Sequence, residues 1–403
     1  MKKVLNIIIL VTIAASTLYT SYVQPQTITS NDAIIHCEIM APTIRNELNP
    51  YIHENLVKSD LRVEKKDSIS NTPFNHIPTL NSLLLILCNE TQINWLNLYP
   101  YFLLLTFSLV IVLISKTSDQ PLHYSVLFLS IGNGMYQSIR SGNLSSFAFL
   151  FLVLSCYLVF KEKYFVGGIF YSIYCLYRIT PFIIIIFVLF FITNPRAKKF
   201  LLGIFSVFVT SILFSGLFQT VLLRDWVLRV LLPESISNRF NESLSAGRQV
   251  LGNNIFGDYF DIPSVMNFVH FINKSSLALA IGFSLFFIYS SYKLFLSIDK
   301  SDFNLETLII LNILHLVITP YFRSYHIIEL SFIITMWLTI TRKEFPIEYW
   351  VFPISLYIGT YIKFLEGDTF YVILFNDLSA PLLLFFLLSQ YLYQDINKKS
   401  RAS

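Results

Sequence analysis

Residues 164–193 read YFVGGIFYSIYCLYRITPFIIIIFVLFFIT, an apolar run interrupted once, by Arg178-Ile179-Thr180-Pro181. A helix crossing a bilayer needs about 20 apolar residues, because a hydrocarbon core of ~30 Å is climbed at ~1.5 Å per residue. Each half of this run is only about 13 or 14 residues long, or roughly 20 Å. Neither half spans alone. The reading that fits is two short helices forming a hairpin whose turn stops below the membrane surface. Pro181 removes a helical donor and disfavours α geometry at Thr180. The break then aims a helix N-terminus at whatever cavity lies beyond it, a favourable place for a phosphate; an ordinary tight turn between two spans is the plainer alternative.

Outward from this stretch, further apolar runs lie near 4–23, 95–115, 121–139, 143–160, 200–223, 275–297, 304–318, 325–341, 346–362 and 370–390. With the broken hairpin they make about twelve crossings. The expected fold class is therefore all-α: a polytopic integral membrane helix bundle forming a single domain over 1–403. The composition agrees, with 54% hydrophobic and only 13% charged residues. Soluble domains carry nearer a quarter charged residues, so a soluble globular enzyme, a disordered chain and a nucleic-acid module are excluded. The first run, behind Lys2 and Lys3, reads as a retained signal anchor, since no small-x-small cleavage site follows it. Cys37, Cys88, Cys156 and Cys175 show no paired spacing, which argues against a disulfide framework or a metal cluster.

Orientation follows from where Lys and Arg fall. With the N-terminus inside, the cytoplasmic side holds Lys2, Lys3, Lys116, Lys161, Lys163, Arg196, Lys198, Lys199, Lys293, Lys300, Arg342, Lys343, Lys398, Lys399 and Arg401. The short outer turns then hold one basic residue each: Arg140, Arg178, Arg323 and Lys363. The expectation is N-in and C-in, in the cytoplasmic (plasma) membrane. Two long loops, 24–94 and 224–274, fall outside. The first carries an apolar stretch from Leu80 to Cys88, too short to span and suited to an interfacial helix. The second mixes aromatic and charged residues as interfacial helices do.

Polar residues gather on that outer side. Arg140 and Asn143 make the turn after the third run, Arg178 tips the hairpin, and Arg323, Tyr325 and His326 form a late turn. Glu329 follows three residues after His326, on the same helical face. Snorkelling arginines and solvated turns explain such residues singly. Together the arginines suit a lipid-linked phosphate, since guanidinium groups fork onto phosphate oxygens and stabilise a phosphate leaving group. A transferase so placed also needs a base for an acceptor hydroxyl, and Asp32, His36 and Glu38 are the first-loop candidates. Inside the spans, His315 either lines this cavity or packs, and Asp377 reads as a hydrogen-bonding residue between helices.

The order of these features resembles the polytopic GT-C class glycosyltransferases, most closely glycosyltransferase family 87. The resemblance runs over roughly residues 30–330. It is carried by Asp32, Asn49-Pro50-Tyr51, Pro73-Phe74-Asn75-His76-Ile77-Pro78, Gly142-Asn143, Arg178-Ile179-Thr180-Pro181, Asn241-Glu242-Ser243-Leu244 with Arg248, and Thr319-Pro320-Tyr321-Phe322-Arg323-Ser324-Tyr325-His326. Asn stands at the family's Gln, Arg at its Lys and Thr at its Ser.

What the resemblance implies is an inverting transfer of a hexose, mannose-like, from a polyprenyl-phosphate donor to an extracytoplasmic glycan or lipid acceptor. Asp32 would be the general base. Arg178, Arg323, Arg248 and Arg140 would hold phosphate, and His326, Tyr325, Asn143, Asn241, Ser243, His76 and Tyr51 would meet substrate. Asn241 and Ser243 serve equally as caps of a loop helix, and Asn49-Pro50-Tyr51 more as a shaper of its loop. No cofactor or metal is expected, since arginines neutralise the phosphate. The partners are membrane lipid, the lipid-linked donor and the acceptor, with no nucleic acid. Two other readings compete. A lipid-linked glycan polymerase or ligase concentrates its chemistry in a late outer loop. A transporter or flippase of lipid-linked sugars places ionisable sites at the bilayer midplane in paired repeats, and no repeat is visible here.

Overall fold

A computed structural model describes residues 95–131, 145–177, 183–228, 277–299, 301–318 and 327–341, with isolated residues elsewhere. All regular structure among the described residues is helical. In chain order the helices are α1 Trp95–Thr117, α2 Pro121–Ile131, α3 Ser145–Phe160, α4 Tyr164–Tyr177, α5 Ile183–Leu189, α6 Pro195–Phe218, α7 Thr220–Trp226, α8 Leu277–Leu296, α9 Leu305–Ile318 and α10 Ile327–Ile340. The apolar runs near 4–23, 346–362 and 370–390, and the Leu80–Cys88 stretch, fall almost wholly outside the described residues.

The helix ends follow local chemistry. α6 begins five residues before the apolar run suggests, because Asn194 caps it and Pro195 occupies its first turn. The Asn194 side-chain oxygen accepts from the backbone N–H of Arg196 at 2.8 Å and of Ala197 at 3.4 Å, satisfying donors that a helix start leaves open. Its amide donates to the Ser301 carbonyl at 2.6 Å. α3 ends in a Schellman turn: Lys163 N–H donates to the Leu158 carbonyl and Glu162 N–H to that of Val159. The left-handed position of that turn is held by Glu162, at φ 59°, where glycine is the usual occupant. After α5 the chain narrows into i→i+3 turns, with Phe190, Phe191 and Ile192 N–H donating to the carbonyls of Phe187, Val188 and Leu189. The second half of the broken stretch is thus half the helical length of the first, 7 residues against 14. Residues 178–182, the break itself, lie outside the described residues.

Helix α4 is the centre of the packing, pressed between α3 and α6. Glycines make this possible. A Cβ at Gly168 would fall inside contact distance of the Phe200 carbonyl oxygen of α6, and one at Gly203 would meet the Phe165 carbonyl oxygen of α4. Each glycine therefore lies against the other helix's backbone, the close approach that small residues permit between membrane helices. On the other side Ser155 of α3 donates to the Gly167 carbonyl at 2.9 Å. Further out, α3 meets α1 and α9, α9 meets α5, α8 and α10, and α10 meets α1 and α2.

Three connections meet at one end of the bundle. Arg196, at the start of α6, pairs with Asp302 in the α8–α9 connection and lies 3.8 Å from Glu162 in the α3–α4 turn. All three belong to segments that the basic-residue pattern puts on a single side. In the α8–α9 connection, the Ser301 hydroxyl and backbone N–H donate to Asp299, which holds that carboxyl below its ordinary range.

One helix among the described residues, α6, is long and apolar enough to cross a membrane by length and composition. One face of it is buried on α4, while Leu202, Phe205, Val209, Leu213 and Leu217 are exposed along the other. Helix α8 likewise exposes Ile281, Leu285, Ile288, Tyr292 and Leu296. Hydroxyls on these helices are returned to the backbone: Ser206, Thr210 and Ser290 donate to the carbonyls of Gly203, Ser206 and Phe286.

Substitutions at three glycines test this packing in opposite directions. Gly168→Ala or Gly203→Ala should destabilise the protein by about 3 kcal/mol or more, because backbone must move to admit the methyl group. Gly282→Ala in α8, where a Cβ meets nothing within 4 Å, should leave the unfolding midpoint in detergent unchanged or slightly higher. At the α3–α4 turn, Glu162→Gly should raise that midpoint, relieving a left-handed conformation that costs about 1 kcal/mol in a non-glycine residue.

Candidate functional site

The interior beside α4 carries a line of polar side chains that the apolar runs do not explain. Tyr171 and Tyr174, three apart on α4, are both fully buried, and their rings meet edge to face with centroids 5.6 Å apart. The Tyr171 hydroxyl donates to Asn312 Oδ1 of α9 at 3.3 Å, and Asn312 Nδ2 donates to the Leu308 carbonyl at 2.8 Å. The Tyr174 hydroxyl donates to Glu329 Oε2 of α10 at 3.1 Å. Glu329 is 1% exposed and sits in the first turn of its helix, where the N-terminal dipole favours a negative charge. His315 of α9 is also buried. Tyr174 lies in the last turn of α4 and Glu329 in the first turn of α10, so their hydrogen bond ties together the ends of two helices.

A second tie lies beyond the far end of α6. Asn49 Nδ2 donates to Asp225 Oδ2 at 2.6 Å, across 176 residues of sequence. Arg224 Nε donates to the other carboxylate oxygen at 3.1 Å. Asp225 is 8% exposed and Trp226 beside it is buried. A buried carboxylate is costly without donors, and this one draws one from Asn49 and one from its own neighbour on α7. Asn49 is thereby tied to the end of α7.

The residues singled out for chemistry in the sequence fall outside the described residues. These are Asp32, Tyr51, His76, Arg140, Asn143, Arg178, Asn241, Ser243, Arg248, Arg323, Tyr325 and His326, and with them His36, Glu38 and Asp377. The described residues nearest them do come together in part. Arg178 directly follows α4, four residues after Tyr174, and His326 directly precedes α10, three residues before Glu329. Asn49 lies two residues before Tyr51, and Asp225 lies near the end of α7, ahead of Asn241, Ser243 and Arg248 in the sequence.

Tyr174, Asn312 and Asp225 were not singled out by the sequence. The signal for Asn312 is a lone amide inside the apolar run of α9, a buried polar group that needs a partner. Tyr174 and Asp225 carry no comparable signal, because tyrosines are abundant in α4 and acidic residues in the loops. Cys156 and Cys175 are buried free thiols. Among the described residues no three His, Cys, Asp or Glu side chains gather to hold a metal. No protein family, curated protein or solved structure matches the chain.

Asn49→Ala should destabilise the protein by about 1–3 kcal/mol, because one oxygen of a buried carboxylate loses its amide donor. In the Asp225→Asn background the same change should cost clearly less. Thermal unfolding of the two single variants and the double variant measures the coupling.

Proposed function

We propose that the chain is an integral membrane hexosyltransferase of about twelve spans, GT-C in type. It takes a mannose-like hexose from a polyprenyl-phosphate donor and delivers it to a glycan or glycolipid acceptor outside the cytoplasmic membrane. The apolar faces of α6 and α8, exposed along their length, support a lipid surrounding. The basic-residue pattern supports N-in, C-in orientation. The observation that carries the reading is the hydrogen bond from Tyr174 to Glu329. It joins the helix ends next to Arg178 and next to the Arg323–His326 turn, two segments that the proposed phosphate site needs as neighbours.

In this reading Asp32 takes the proton from an acceptor hydroxyl as that oxygen attacks the anomeric carbon. The bond from that carbon to the phosphate oxygen breaks on the opposite face, giving inversion. The departing phosphate keeps the electron pair, and Arg178, Arg323, Arg248 and Arg140 stabilise the negative charge it gathers. His326, Tyr325, Asn143, Asn241, Ser243, His76 and Tyr51 hydrogen-bond the sugar or the acceptor. No metal or cofactor enters the scheme, because the guanidinium groups supply the positive charge. The Asn49–Asp225 tie supports the placing of both long loops over one mouth.

Asp32→Asn should abolish transfer of radiolabelled hexose from a polyprenyl-phosphate donor in membranes, with the amount of folded protein unchanged. Near-normal turnover by that variant overturns the assignment of the base. Movement of intact donor across vesicles without consumption of it overturns the transferase reading in favour of a flippase.

A further inference from the structure

We infer that the start of α6 and the apolar face that follows it form a binding surface for an anionic phospholipid, its phosphate on Lys198 and Lys199 and its acyl chains along the helix. The inference rests on the membrane reading proposed above and is independent of sugar transfer. Lys198 and Lys199 are both exposed near the start of α6. Beyond them Leu202, Phe205, Val209, Leu213 and Leu217 are exposed, at spacings of three or four residues that put them on one helical face. Lys198 lies four residues before Leu202 and Lys199 three, so the lysines belong to the same stripe. From Lys199 to Leu217 the stripe rises about 27 Å, close to the ~30 Å of a hydrocarbon core. One end is charged and the rest apolar, the division that separates headgroups from acyl chains.

The charge at this end is not spent within the protein. Helices α4 and α6 start together, since the Arg196 guanidinium lies 5.6 Å from the centroid of the Tyr164 ring. Lys163, next to Tyr164 and exposed, brings a third lysine there. The nearby acids are engaged elsewhere. Glu162 and Asp302 both face Arg196, and Asp299 accepts from Ser301. Among the described residues no carboxylate lies within ion-pair distance of Lys163, Lys198 or Lys199. Two other lysines of this end differ. Lys161 lies 5.5 Å from the centroid of the Phe160 ring, and Lys293 lies 5.5 Å from that of Tyr289.

Snorkelling explains a lone lysine at the end of an apolar helix. Adjacent lysines with a third close by repel one another, and an anion placed among them relieves that repulsion. A phospholipid phosphate supplies the anion while its chains cover the stripe. A soluble acidic partner would satisfy the lysines and leave the apolar stripe bare.

The test uses the full chain purified in detergent. Native mass spectrometry counts the lipid bound as dioleoylphosphatidylglycerol is titrated in, with zwitterionic dioleoylphosphatidylcholine as the comparison. The unaltered protein should hold the anionic lipid about tenfold more tightly or better, and the double change Lys198→Gln with Lys199→Gln should remove that preference. Lys198→Arg with Lys199→Arg, which keeps the charge, should stay within about threefold of the unaltered protein. Lys161→Gln with Lys293→Gln removes the same charge from the same end and should change binding less than about twofold.

Equal affinity of the unaltered protein for the two lipids overturns the surface, as does a preference that survives Lys198→Gln with Lys199→Gln. An equal loss in the Lys161 and Lys293 pair also overturns it, since the attraction is then diffuse. Alkaline carbonate tests the membrane reading separately. A chain that carbonate strips from membranes refutes that reading and the surface with it, whereas a chain retained there but indifferent to lipid charge refutes the surface alone.

Discussion

The close approach of α4 and α6 governs the rest of the bundle. Gly168 and Gly203 lie against carbonyl oxygens of the facing helix, so the two backbones meet with no side chain between them. In a lipid surrounding, apolar side chains gain little by leaving lipid for protein, and association depends on packing and hydrogen bonds. Backbone-to-backbone contact supplies the first. The Tyr171 ring packs on Phe200 of α6, while the hydroxyls of Tyr171 and Tyr174 reach Asn312 on α9 and Glu329 on α10.

Polar contacts then fasten the assembly at both ends. At one, Asn194 caps α6 and reaches Ser301, while Arg196 pairs with Asp302. At the other, Asn49 holds Asp225 and Tyr174 holds Glu329. The two ends differ in character. Arg196, Asp302 and Glu162 are substantially exposed, so their pairing is screened by water and contributes little to stability. Asp225 and Glu329 are buried, where losing a donor is expensive. Among the described residues the buried carboxylates, Asp225 and Glu329, both lie at this second end.

Much of the fold was legible in the sequence. The apolar runs at 275–297, 304–318 and 325–341 became α8, α9 and α10 with ends shifted by at most two residues. The apolar halves on either side of Arg178–Pro181 became α4 and α5, while the break itself lies outside the described residues. The start of α6 was misread because hydrophobicity was used where capping decides: Asn194 and Pro195 begin a helix that the apolar residues only later join. The candidate site was legible in a different sense. Its residues were named from their order and side, and the described residues bear on them only through neighbours such as Tyr174, Glu329 and Asn49.

Local composition and periodicity by themselves determined that the described residues are helical and roughly where those helices lie. These are properties of short stretches, set by hydrophobicity, capping and charge. Which helices touch, and which polar groups find one another, was decided only in three dimensions. Nothing in the neighbourhood of Gly168 announces that Phe200 will approach it, and nothing near Asn49 points to an aspartate 176 residues away. Such pairings arise because a buried glycine surface or carboxylate must be matched by whatever the whole packing brings to it, a condition on the folded chain and not on any segment of it.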